Sequence, residues 1–146
     1  MESTIPKLSE AILLGSIGTE QAFGILKDND GRTCAMGGAY VAASVDLMTD
    51  VSTKWLKFKT AAFIPLLWKW AFKSEESTNE AKWYKCPKCG GSANTVVGVI
   101  IHLNDQHRMP RPMIAEYVAQ QEAIFEAETV KTPQAVDTLP ALTSCR

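Results

Sequence analysis

Short apolar runs with helical spacing alternate along this chain with polar, turn-rich intervals. In KLSEAILLGSIG, Ser9 is placed to cap a helix from about Glu10 to Gly15, and Leu8 and Leu13 have the spacing of a hydrophobic staple across its start. The next stretch, AFGILKDNDGRTCAM, reads as a β-hairpin, because two short apolar and β-forming runs flank the turn-rich quartet Asp28-Asn29-Asp30-Gly31. GGAYVAASVDLM then sets Tyr40, Val41, Val45 and Met48 at helical spacing, which predicts a closely packed helix entered through a tight turn at Gly37-Gly38. Near the other end, RPMIAEYVAQQEAIFEAE places Ile114, Tyr117, Val118 and Phe125 on one face of a helix opened by Pro112. VVGVII, from position 96, is apolar around nearly its whole circumference, the mark of a helix enclosed by its neighbours.

The intervals organise these elements. Residues 51–73 are rich in Trp, Phe and Lys, with Pro65 opening a new helical turn. SEESTNEAK, 74–82, is a polar linker, and 129–146, with Thr and Pro but no periodicity, reads as an extended or mobile tail. The chain thus divides into an N-terminal helix, hairpin and helix region with its aromatic segment (1–73), a linker (74–82), a lobe with a closing helix (83–128) and a tail (129–146). The expected fold is α+β, mainly helical, with a ββα zinc-finger-like lobe embedded in it.

Composition narrows the setting. A chain of 146 residues, 46% of them hydrophobic, can bury one modest core. Its net charge of −1 supplies no global attraction for nucleic acid or anionic membrane, although 51–92 carries eight basic against three acidic residues and 1–50 three against seven. The start lacks the basic opening and apolar run of a secretory signal, and AAFIPLLWKWAF is too short and too interrupted to span a bilayer. A cytoplasmic protein with reduced thiols is expected.

The chemistry concentrates in WYKCPKCGGSANTVVGVIIHLNDQH, 83–107. Cys86 and Cys89 bracket Pro87-Lys88 and precede Gly90-Gly91, a knuckle that lets backbone amides point at the sulfurs. His102 and His107, the only histidines in the chain, complete C-x2-C-x12-H-x4-H. That is the ligand spacing of a structural tetrahedral site, and two thiolates with two imidazoles suit Zn2+. Tyr84, two before the first Cys, and Val99, three before the first His, occupy core positions of a ββα finger, whereas Ala93 stands where an inner aromatic is expected. The lobe must therefore borrow packing from the rest of the chain. Five residues from His102 to His107 put the second ring off the face of the first, so the helix should tighten or break near Asn104 and Asp105.

Three other chemistries fit less well. Counting from His102, the base-reading positions are Thr95, Gly98 and Ile101, none of which makes the bidentate contacts that discriminate bases. Four protein ligands close the site to catalysis and leave no His for a nucleophile, so the chain reads as non-enzymatic and Cys34 as a buried thiol. Asp28-Asn29-Asp30-Gly31 would put Leu26 and Gly37 at ligand positions of a calcium loop, which favours a plain turn.

KLSEAILLGS, QAFG and CAMGGA near the start, with CPKCGGS and VIIHLNDQHRMPRPMIAEYV near the end, resemble a group of small bacterial and phage proteins. In that group the metal positions correspond to Cys86, Cys89, His102 and His107, while RMPRP departs from the Trp- or Thr-rich helix start found there. The resemblance skips the aromatic middle; it implies a prokaryotic or viral setting and carries no activity. The leading expectation is a zinc-stabilised adaptor or regulatory protein that binds another protein, with self-association through the aromatic middle as a further option. The alternative is nucleic-acid binding, in which Lys54, Lys57, Lys59, Lys69 and Lys73, with Lys82, Lys85 and Lys88, touch phosphates while Trp55, Trp68 or Trp70 stack on bases. Exposure or burial of Trp55, Phe58, Trp68 and Trp70 separates binding face from core.

Overall fold

Leu8, Ala11, Ile12 and Gly15 recur at helical spacing and are all buried, and they form the inner face of helix α1, Leu8–Gly18. The computed structural model that shows this describes residues 5–43, 65–74 and 78–131. The helix begins earlier than the Ser9 cap predicts and runs three residues longer. Lys7 is the N-cap, and its backbone N–H donates to the Glu10 carboxylate. Ser9, inside the first turn, gives both its N–H and its hydroxyl to the buried Glu122 carboxylate. Leu13 is 44% exposed and makes no staple, because it lies off the face that Leu8, Ala11, Ile12 and Gly15 bury.

The segment 20–34 contains the expected turn but only isolated bridges, Gln21 to Thr33 and Lys27 to Thr33, in place of a ladder. Asp28 closes the turn: its carboxylate accepts from the N–H groups of Asp30 and Arg32 and from Arg32 Nε. Helix α2, Ala35–Ala42, starts at Cys34, whose thiol accepts from Gly37 N–H at 3.3 Å. Its glycines set how close the chain can come. A Cβ on Gly37 would lie 1.7 Å from the Leu26 carbonyl oxygen, and one on Gly15 would lie 2.3 Å from the Gly38 carbonyl. Beyond the entry turn that the pattern predicts, Gly37 thus admits the Leu26 main chain and Gly38 the close approach of α1. Tyr40 is buried in this helix and Val41 is 39% exposed, while Val45 and Met48 lie outside the described residues.

A short 3-10 turn, Leu66–Trp68, leads into α3, Lys69–Phe72. After a second 3-10 turn, Glu80–Lys82, strands β1, Tyr84–Lys85, and β2, Ser92–Ala93, pair antiparallel in the register Tyr84 to Ala93 and Lys85 to Ser92. Helix α4, Val96–Asp105, follows, capped by the Thr95 hydroxyl on Gly98 N–H at 2.8 Å. Helix α5, Arg111–Lys131, closes the order. As expected, Ile114, Tyr117 and Val118 are buried, whereas Phe125 is 44% exposed and stacks on Trp70. The described chain is mainly helical with one small two-stranded sheet. One buried cluster joins Leu8 and Ile12 of α1, Met36 and Tyr40 of α2, Trp68, Val99, Ile100 and Leu103 of α4, and Ile114 and Val118 of α5.

Helix α5 grips α1 at both ends. Arg111, 5% exposed, donates through Nη1 to the hydroxyls of Thr19 and Thr33 and through Nη2 to the carbonyls of Ser16 and Thr19. Glu122 meets the other end through Ser9. Eleven residues separate Arg111 from Glu122, about three turns, so both lie on one face of α5 and span the length of α1. The helices run antiparallel, with a cation at the negative end of the α1 dipole and a carboxylate at its positive end.

Candidate metal centre

The β1–β2 connection brings the two cysteines round by main-chain hydrogen bonds. Cys86 N–H donates to the Gly91 carbonyl at 2.7 Å and Gly90 N–H to the Cys86 carbonyl at 2.9 Å, with Gly90 at φ +75°. That φ lies in the left-handed region where glycine is at ease, so the knuckle needs Gly at this position. Lys88 N–H points at the Cys86 sulfur at 3.3 Å, a contact that would favour a thiolate there.

Helix α4 supplies His102, and His107 lies two residues beyond its end. The bend expected near Asn104 and Asp105 is present: Gln106 and His107 N–H both return to the His102 carbonyl, and Arg108 adopts φ 48°. The two rings face each other edge to plane, 4.7 Å apart and 85° inclined, with the Nε2 atoms 3.1 Å apart. Cys89 Sγ lies 3.3 Å from His102 Nε2. The four donor atoms of Cys86, Cys89, His102 and His107 all fall within 4.8 Å of one another. A tetrahedral ion with metal–nitrogen and metal–sulfur bonds of ordinary length has donor-to-donor edges of roughly 3.3 to 3.8 Å. The four donors lie close enough together, and have the donor chemistry, to hold a metal ion. Cys86 is buried, both histidines are half-buried, and Cys89 is exposed.

The packing around the cluster explains Ala93. A Cβ on Gly98 would sit 3.0 Å from Ala93 Cβ, so strand and helix meet through two small residues where a larger side chain would hold them apart. Val96, Val97, Val99, Ile100 and Leu103 are buried and Ile101 half-buried, so the apolar circumference of α4 is enclosed as expected. Of the three base-reading positions, Thr95 spends its hydroxyl on the helix cap, Gly98 faces the sheet and Ile101 packs against the core.

Asn104 and Asp105 do more than end the helix, and the sequence reading missed it. Asn104, 1% exposed, accepts through Oδ1 from Gln21 Nε2 at 2.9 Å and Ala35 N–H at 3.1 Å, and donates through Nδ2 to the Ala22 carbonyl and to Asp105. Asp105 in turn accepts from Gly24 N–H at 2.8 Å. Arg108 lies over the Phe23 ring at 4.2 Å. Apart from the Asn104–Asp105 bond, every one of these partners belongs to the segment 21–35. A buried polar residue between the two candidate histidines is the available signal, but its long-range partners are 69, 82 and 83 residues away.

In the aromatic middle, Trp68 is fully buried, donates through Nε1 to the Pro6 carbonyl at 2.8 Å and lies 5.6 Å from the Tyr40 ring. Trp70 stacks on Phe125 at 5.5 Å. Trp68 is therefore core and unavailable to stack on a base. Lys69 and Lys73 are exposed; Lys54, Lys57, Lys59, Trp55 and Phe58 lie outside the described residues. Cys34 is the buried thiol expected, and burial pushes its pKa up to about 12. Among the described residues no helix is long and apolar enough to cross a membrane. Comparison with protein-family models, curated proteins and solved structures finds no match to the chain.

Proposed function

We propose that this chain is a non-enzymatic adaptor or regulatory module of bacterial or phage origin, working in the cytoplasm. In this reading Cys86, Cys89, His102 and His107 hold Zn2+, which completes a finger-like ββα lobe, and the protein acts by binding another protein. The donor set supports zinc, since two thiolates and two imidazoles satisfy a closed tetrahedral site and leave no position for substrate. The observation that carries the binding role is the outer face of α1, where Leu13, Leu14 and Ile17 are 44%, 53% and 78% exposed on a helix fixed at both ends. An apolar stripe on a rigid helix is a surface suited to a protein partner.

The test is paired. Elemental analysis of the full chain should find one zinc per molecule. Affinity capture from the native host should recover a partner that the Leu14→Glu, Ile17→Glu double variant loses and a Glu116→Gln variant keeps; equal recovery by both variants would reject this face. A second reading, nucleic-acid binding, draws support from the exposed Lys69, Lys73, Lys82, Lys85 and Lys88. It predicts a salt-dependent shift of a random DNA or RNA probe at micromolar protein, and no shift at low salt would remove it.

A further inference from the structure

Two side chains outside the ligand set hold the turn that carries His107. Gln21 Nε2 donates to Asn104 Oδ1 at 2.9 Å and to the Met109 carbonyl at 2.8 Å, so one amide group bridges the residues three before and two after that ligand. Asn104 is buried, and its Oδ1 also accepts from Ala35 N–H while its Nδ2 donates to the Ala22 carbonyl. On a straight helix, five residues would separate the two imidazoles by about 140° and roughly 7.5 Å along the axis. The observed approach of the Nε2 atoms to 3.1 Å therefore depends on the bend after Asp105, and on whatever keeps that bend.

We infer that Gln21 and Asn104 are positioning residues of the metal centre, setting the place of His107 from the N-terminal half of the chain. The inference rests on the proposed metal site. It makes the folded segment 21–35 and the bound metal two sides of one equilibrium, so that each strengthens the other by the same factor. Outer-shell partners of metal ligands ordinarily act by orienting a ligand they touch. Here the orienting contact is made to the main chain and side chain beside the ligand.

The experiment is a competition titration of Zn2+ against a chromophoric chelator, using the full chain and three variants. Gln21→Ala and Asn104→Ala should each lower zinc affinity about tenfold, the low end of the range for outer-shell partners. Ser9→Ala, which removes a buried hydrogen bond to Glu122 far from the turn, should change it less than twofold. In the Co2+-loaded proteins, the ligand-field bands should shift in the Gln21 variant and match the parent in the Ser9 variant. Affinity within twofold of the parent in Gln21→Ala, or an equal loss in Ser9→Ala, would overturn the assignment. If Asn104→Ala does not fold, Gln21→Ala decides the matter, since Asn104 there keeps its bonds to Ala22 and Ala35. A parent protein that binds no zinc would defeat the metal reading itself, a different result from a zinc site indifferent to Gln21.

Discussion

Helices α1 and α4 face the same problem, the unsatisfied groups at helix ends, and answer it differently. At α1 both ends are met by one neighbour, with the Glu122 carboxylate at the N-terminus and the Arg111 guanidinium at the C-terminus. At α4 the N-terminus is capped within the lobe by Thr95, while the C-terminal turn is shaped by the His102 carbonyl, the Gln21 and Asn104 contacts and, in the proposed reading, a metal ion. Buried charge stabilises α1 through fixed partners. The end of α4 depends on a ligand and on a segment distant in sequence, so its order should vary with metal and that of α1 much less.

The largest expected effect is loss of the metal. Structural zinc in finger peptides carries an apparent binding free energy of about 10 to 16 kcal/mol. Cys86→Ser should therefore yield a zinc-free chain that has lost the structure of residues 83–110, seen by elemental analysis and by hydrogen exchange at the α4 amides. A zinc-free variant with the melting curve of the parent would erase the contrast between the two helices. Arg111→Met comes next. It leaves the Ser16 and Thr19 carbonyls at the end of α1 without their buried donor, while the Thr19 and Thr33 hydroxyls keep each other and the Gly15 carbonyl, and should cost about 3 kcal/mol in denaturant unfolding while zinc stoichiometry stays at one. Gly15→Ala should cost about 2 to 3 kcal/mol, because its methyl meets the main chain of Gly38, which cannot yield as a side-chain tip can. Glu122→Gln, which keeps one acceptor for Ser9, should cost only about 1 kcal/mol. The smallest effect is chemical. With its pKa pushed up to about 12 by burial, Cys34 stays a neutral thiol at pH 8 and should resist iodoacetamide, while chelation exposes Cys86 and Cys89 to it.

Much of the candidate site was legible in the order of residues. The spacing of Cys86, Cys89, His102 and His107, the Gly-Gly knuckle and the apolar circumference of VVGVII are local features, and local geometry follows from them. The bend near Asn104 was legible too, because helical angles alone require it. The start of α1 was misread for a physical reason: Ser9 is a good cap in isolation, but a buried carboxylate 113 residues away offers its N–H and hydroxyl stronger partners inside the first turn. The expected hairpin does not form because the turn at Asp28 is self-sufficient, while Thr33 and Cys34 beyond it meet Glu20, Ala22 and Leu26 only through single hydrogen bonds. Trp68 could be core or contact face by composition, and only its position against Tyr40 and Pro6 decides for core.

The sequence by itself determined the candidate metal cluster, the helical character of the chain and the small residues at 15, 37, 38 and 98, since these depend on spacing and size. Tertiary structure alone decided which polar residues are interior: Asn104, Arg111 and Glu122 look like surface residues until their partners are in place. A buried polar group is tolerated only where its hydrogen bonds are met, and for these three the partners come from other elements of the fold.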